Sequence, residues 1–184
     1  MRRTIRWLVV ILVAFHGALA YAVDQDVAGT DSPAPFEIPR LDDFNNVSVI
    51  VTGTPEVKKK KKFYTAAANV SDALVEKLIA ARVFENVSAE EPAGASATDL
   101  IITLLIDDLK ITSQGGRVMG GIAAGKARLG LNVSLTAGDS TEPLAEFYLS
   151  SVSKQKHGVF GGTTGRQIEG MTDRIARAII TQKE

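Results

Sequence analysis

The stretch LIITLLIDDLKI, residues 100–111, decides the fold. Its first seven residues are apolar except for Thr103, which predicts a strand buried on both faces over its first half. Neighbouring residues of a strand point to opposite faces, so Asp107 and Asp108 should diverge and form a solvated pair at the strand end.

The chain after this strand predicts two more strands and a helix. Residues 129–135 alternate between apolar and polar or glycine positions, which is typical of a strand with one wet face. A turn at 137–142 and a last strand at 144–152 follow. Residues 164–180 carry an apolar stripe at helical spacing, and Thr164 and Gln167 are candidates for a capping box.

The chain before residue 100 predicts a strand at 47–51, a lysine-rich loop, a helix at 65–82 and a strand at 84–89. The element order is therefore β-α-β-β-β-β-α. It predicts an α/β chain of the two-layer α+β kind, with a mainly antiparallel sheet and two helices packed on one face.

Strand directions predict which loops meet. The helical crossover makes the first two strands parallel, and hairpins then reverse each later strand. The lysine loop and the turn at Pro92 should lie at one end of the sheet. Two glycine-rich segments, 113–126 and 154–163, should lie together at the opposite end.

The N-terminus resembles a secretory signal. Arg2, Arg3 and Arg6 precede an apolar run at 7–19, and Ala20-Tyr21-Ala22 matches a cleavage site. An uncleaved anchor is the weaker alternative, because the run is shorter than a membrane span. A twin-arginine signal is a further alternative. We expect a signal peptide at 1–22, a flexible tether at 23–40 and a single domain at 41–182, located in the periplasm or secreted.

The cysteine count and the net charge exclude several kinds of site and partner. The 184 residues include no cysteine, which excludes disulfides, thiolate metal sites and a lipid-modified N-terminal cysteine. The formal net charge is 0, and it becomes mildly negative if the three arginines of the signal are removed. Such a balance argues against nucleic acid as a partner.

Residues 118–127, VMGGIAAGKA, come within one residue of a phosphate-binding P-loop. The position that should offer a metal-binding hydroxyl is Ala127, and a strand follows where a P-loop opens a helix. We therefore expect no nucleotide site. An apolar segment of this kind should instead pack on its own domain, meet a partner or a second copy, or contact a membrane.

From residue 99 onward the motifs resemble the bacterial family called domain of unknown function 4410. They are the strand at 99–104, Arg117 before the Gly121–Gly125 spacing, an alternating strand, a turn at 139–142, and a glycine-rich loop leading into the final helix. The resemblance covers about residues 44–181, although Pro143 and the missing N-terminal cysteine depart from it. It implies assembly or binding in the cell envelope and does not imply an enzyme.

The sequence thus predicts a non-enzymatic envelope module that binds a protein partner or self-associates as a homo-oligomer, without catalytic residue, metal or cofactor. The expected contact residues are Arg117, Met119, Gly120, Gly121, Ile122 and Phe160. One alternative is an enzyme or binder acting on an anionic envelope component through Lys126, Arg128 and His157. Another is weak contact with an anionic membrane through Lys58, Lys59, Lys60, Lys61 and Lys62.

Overall fold

The computed structural model describes residues 36–90, 92, 94–111, 127–152 and 164–183. The predicted signal peptide and the tether up to residue 35 lie outside this part of the chain. The elements, in chain order, are β1 (Asn46–Gly53), α1 (Pro55–Lys58), α2 (Phe63–Ala81), β2 (Asn86–Ser88), β3 (Asp99–Lys110), β4 (Arg128–Ala137), β5 (Pro143–Val152) and α3 (Thr164–Lys183).

The predicted α+β class is confirmed. α2 and α3 pack against each other and against one face of a five-stranded sheet, which forms the second layer. Between the layers lies a continuous apolar core to which both helices and four of the strands contribute. The stripe predicted for the last helix is buried there, with Met171 and Ile175 fully inaccessible to solvent.

β3 lies in the middle of the sheet and is buried mainly on one face. Leu100, Ile102, Leu104 and Ile106 point to the helices and are fully buried. The alternate residues are only partly buried, because they lie on the face without helices, which we call the open face. The prediction of burial on both faces is therefore wrong for this strand.

The order of the strands is β2-β1-β3-β4-β5. β1 pairs in parallel with both β2 and β3, whereas β4 and β5 pair antiparallel as predicted. The sheet is thus mixed, and its two longest strand pairings, β3 with β4 and β4 with β5, are antiparallel. The predicted reversal between the second and third strands is wrong. The three residues of β2 occupy only the outer side of β1, and the chain returns to start β3 beside Asn46 on the other side.

This pairing changes the predicted arrangement of the loops. β1, β3 and β5 end at one edge of the sheet, where β4 begins. The lysine segment 58–62 follows β1 and therefore lies at this edge. The ends of β3 and β5 and the start of β4, which flank the glycine-rich segments in the sequence, lie at the same edge. Lys60 Nζ donates a 2.7 Å hydrogen bond to the carbonyl of Leu109. The expectation that the lysines and these segments lie at opposite ends is wrong.

We call this edge the lysine end, defined by residues 54–62, 107–111, 127–128 and 151–152. The opposite edge is the hairpin end, defined by residues 42–46, 85–86, 96–99 and 138–142. Backbone hydrogen bonds join its segments: Glu85 donates to Asn45 O at 2.8 Å, and Gly138 donates to Asp99 O at 2.8 Å.

The last residues of the predicted tether pack on the domain. The Phe36 ring stacks on Phe147 with the ring centroids 4.1 Å apart, and Arg174 lies over the Phe36 ring at 5.6 Å. Ile38 is 6% exposed and belongs to the core. Apolar side chains at positions 36 and 38 thus join the folded domain before residue 41.

Candidate functional site

The lysine segment is held by the one-turn helix α1. The Thr54 hydroxyl accepts a hydrogen bond from the Val57 amide, and Pro55 occupies the first turn, where no amide hydrogen is needed. Val57 is buried and anchors the turn. The five lysines that follow are all exposed, and only Lys60 is fixed to the sheet, through Leu109.

A cluster of polar side chains lies beside the lysines on the open face. The register of β3 and β4 shifts between Ile106 and Asp108, so Asp107 is an extra residue in the strand. Its carboxylate accepts hydrogen bonds from Asn132 Nδ2 at 3.0 Å and from the Tyr148 hydroxyl at 3.4 Å.

The same bulge brings Asp108 to the open face, where its carboxylate meets Arg128 Nε at 2.9 Å. The expectation that Asp107 and Asp108 diverge to opposite faces is wrong, because a bulge cancels the alternation of a regular strand. The two carboxylates bind different partners, and each is satisfied by neighbouring strands rather than held free for a substrate.

Gly130 makes room for this cluster. A Cβ atom at this position would collide with the Asp107 carboxylate and would lie 2.6 Å from the Tyr148 hydroxyl. Sequence analysis did not find the cluster. The available signal was a glycine within an otherwise regular strand, which often marks a bulge or a close approach.

The surroundings of Tyr148 in this cluster raise the pKa of its hydroxyl. Burial raises the pKa of its hydroxyl, and the negative charge and hydrogen bond of Asp107 raise it further. A tyrosine in this state stays protonated and donates its hydrogen bond. It is not poised to act as a base or nucleophile near neutral pH.

Gln167 joins α3 to the lysine end of the sheet. Its side-chain amide donates a 3.2 Å hydrogen bond to the carbonyl of Ala127, which directly precedes β4. It also donates a 3.0 Å hydrogen bond to the carbonyl of Ser151, near the end of β5. The residue is buried, and its Oε1 atom accepts no hydrogen bond from the described residues. The side chain predicted to complete a capping box with Thr164 thus binds strand carbonyls instead.

The predicted contact residues lie outside the described residues, as do Lys126 and His157. They are Arg117, Met119, Gly120, Gly121, Ile122 and Phe160. Of the near P-loop, only Ala127 is described. It is buried, and the residues after it form β4 and not a helix.

Within the described ranges, no three His, Cys, Asp or Glu side chains lie close enough to hold a metal ion. The helices of this part of the chain include none that is long and apolar enough to cross a membrane.

No protein-family model matches the sequence, and no curated protein matches it. Solved structures do match the fold. One is a chain of the PelC dodecamer from Paraburkholderia phytofirmans, with a TM-score of 0.51 and 12% identity over 79% of this chain and 92% of that one. Another is a variant of that dodecamer, with a TM-score of 0.47 and 10% identity over 76% of this chain and 90% of that one. The chain therefore shares the fold of PelC at low sequence identity.

Proposed function

We propose that this protein is a non-catalytic module of the cell envelope that works as a homo-oligomer. The observation that carries the proposal is the shared fold with a PelC chain that is solved as a dodecamer, which extends over 92% of that chain. The polar cluster on the open face agrees with a non-catalytic role, since its two carboxylates are hydrogen-bonded or ion-paired with Asn132, Tyr148 and Arg128.

We further propose that the protein is exported. The support is the basic and apolar pattern of residues 1–22, followed by a small-x-small site. Membership of the family called domain of unknown function 4410, on the motifs given above, remains part of the same proposal.

Contacts between copies are proposed to include the two glycine-rich segments. The support is their composition, with Met119, Ile122 and Phe160 as large apolar residues and Gly120 and Gly121 allowing close approach of a second backbone. The described strand ends that lead into these segments, Lys110 and Val152, both lie at the lysine end.

Light scattering coupled to size-exclusion chromatography tests the proposal on the protein as the cell processes it. We expect a mass several times that of one chain, and crosslinking in intact cells should capture the same species. A monomeric mass at every concentration, with no crosslinked homo-oligomer in cells, would contradict the proposal.

A serine replacement of Gly120, Gly121 and Ile122 should lower the assembled fraction without changing the urea midpoint. Gly94→Ser is the matched control, because a side chain at that exposed glycine would meet no atom within 4 Å. Unchanged assembly in the triple variant would remove these residues from the interface while leaving self-association itself in place.

A further inference from the structure

Charge is distributed unequally between the two ends of the domain. The described basic residues at or next to the lysine end are exposed: Lys58, Lys59, Lys60, Lys61, Lys62, Lys110, Arg128 and Arg166. The acidic residues there are Glu56, Asp107 and Asp108. Asp107 and Asp108 are already hydrogen-bonded or ion-paired within the sheet. The segments that leave this end add Arg117, Lys126, Lys154 and Lys156 in sequence and no acidic residue.

The hairpin end has the opposite character. Its exposed acidic residues are Asp42, Asp43, Glu85, Glu90, Asp139 and Glu142, with Glu90 just beyond β2. The basic residues near it are Arg40, Arg82 and Lys183, of which Arg40 forms an ion pair with Asp42 at 2.6 Å. Within the described residues, Asp43, Glu85, Asp139 and Glu142 form no ion pair.

The two charged ends are too far apart to neutralise each other. The 19 residues of α2 run from one end to the other, which corresponds to about 28 Å. This distance is more than three times the Debye length of about 8 Å at physiological salt. The ion pairs between the long helices, from Lys77 to Glu169 and Asp173, lie between the ends and involve none of the charged residues named for either end.

The chain as a whole carries a formal charge of 0, which becomes mildly negative without the three arginines of residues 1–22, so net charge causes only weak repulsion between copies. Oppositely charged ends then favour one relative orientation, because like ends repel and unlike ends attract. A contact between two different surfaces is heterologous, and it produces a ring when the rotation from copy to copy closes.

We propose that copies of this protein associate end to end, with the lysine end of one copy facing the hairpin end of the next. This inference rests on the proposed homo-oligomeric function and names the surfaces that would form its interface. The partner is a second copy of the chain, and the recognising chemistry is lysine ammonium groups against the carboxylates of Asp43, Glu85, Asp139 and Glu142.

A charge-exchange experiment tests this arrangement. The double variant Lys59→Glu, Lys61→Glu brings the described side chains of the lysine end close to electrical neutrality, and the double variant Asp139→Lys, Glu142→Lys does the same for the hairpin end. All four side chains are exposed, and none of them forms a hydrogen bond or ion pair with the described residues. Glu142 is bonded to Ser140 through its backbone, which the substitution leaves in place. Each variant alone should assemble about tenfold more weakly than the natural sequence, as measured by light scattering at about 50 mM salt.

An equimolar mixture of the two variants should recover assembly as far as mixed pairs, since the hairpin end of the first variant and the lysine end of the second are unchanged and oppositely charged. Glu146→Lys, an exposed change on β5 between the ends, is the control and should assemble normally. Urea midpoints and circular dichroism show whether each variant is folded.

Three results would overturn the inference. The folded variants could each assemble like the natural sequence, which would leave the proposed oligomer intact and remove the end-to-end arrangement. The mixture could fail to recover assembly. Alternatively, the lysine variant could lose binding to phosphatidylglycerol vesicles while its oligomeric mass stays unchanged, which would assign the lysines to an anionic membrane. A natural sequence that is monomeric throughout would instead defeat the proposed function itself.

Discussion

Gly130 within β4 and Gly138 in the turn directly after it differ in what surrounds them. A Cβ at Gly138 would lie 2.6 Å from the backbone carbonyl of Ser96 and 2.8 Å from the Ala95 Cβ. A Cβ at Gly130 would meet the ends of two side chains, Asp107 and Tyr148, which can rotate away. Backbone cannot yield in this manner without moving the segment before β3.

We therefore expect Gly138→Ala to lower the free energy of unfolding by about 2–3 kcal/mol, and Gly130→Ala by about 1 kcal/mol or less. Urea unfolding of the two variants measures the difference. A larger loss for Gly130→Ala would show that the polar cluster is more rigid than its side-chain ends suggest.

The raised pKa of Tyr148 predicts a pH dependence. Because the folded pKa lies above the ordinary value near 10, the contribution to stability is complete below that value and is lost as pH rises through the folded pKa. Asp107→Asn removes a negative charge beside the hydroxyl, so it should lower the pKa of Tyr148 and change this alkaline loss.

Absorbance titration of tyrosinate, compared between the natural sequence and Asp107→Asn, checks this expectation. Tyr148→Phe is the control, since it identifies the part of the titration that belongs to this side chain. Identical titrations in the natural sequence and Asp107→Asn would contradict the hydrogen bond between Asp107 and Tyr148.

At the scale of elements, Gln167 is the polar connection between α3 and the ends of β4 and β5. Gln167→Leu keeps the approximate volume but leaves the carbonyls of Ala127 and Ser151 without this donor. The expected loss is about 1–3 kcal/mol in the free energy of unfolding.

Gln167→Glu sharpens the test, because a carboxylate cannot donate to either carbonyl when ionised. It should be more destabilising than Gln167→Leu at pH 7 and should recover part of the loss when the carboxyl is protonated at low pH. Urea midpoints at both pH values measure this order. Equal midpoints for the two variants at pH 7 would contradict the role of the amide as donor.

The start of the domain is a second test at this scale. Phe36 and Ile38 pack on β5 and the core, so a chain that begins at residue 36 should be more stable than one that begins at residue 41. The expected difference is about 2–5 kcal/mol, from the loss of a stacked ring and a buried isoleucine. Thermal unfolding of both truncations measures it, and equal midpoints would place the boundary after these residues.

For the whole molecule, the separation of charge predicts a response to salt. Association through oppositely charged ends should weaken when salt is raised from about 50 mM to about 500 mM, because screening shortens the range of the attraction. Sedimentation at both salt concentrations measures the effect. Association that strengthens with salt would indicate an apolar interface, such as one made by the glycine-rich segments.

Much of the architecture follows from local patterns. The strand at 129–135 and the stripe of Ile168, Met171 and Ile175 lie where their periodicity predicts, because one face of each is buried in the same core. The polar cluster could not be predicted in this manner. It depends on a one-residue bulge at Asp107, and a bulge is decided by pairing between strands rather than by the composition of one strand.

The sequence by itself determined the five strands, the two long helices, their order and the two-layer arrangement, since periodic apolar residues must be buried against something. Only the tertiary structure decided that β3 lies parallel to β1, because local sequence does not show whether β3 forms a hairpin with β2 or returns to pair with β1. That parallel direction places the lysines, which follow β1, at the end where β3 and β5 also finish. The separation of basic and acidic ends is therefore a property of the fold that the order of charges along the chain does not reveal.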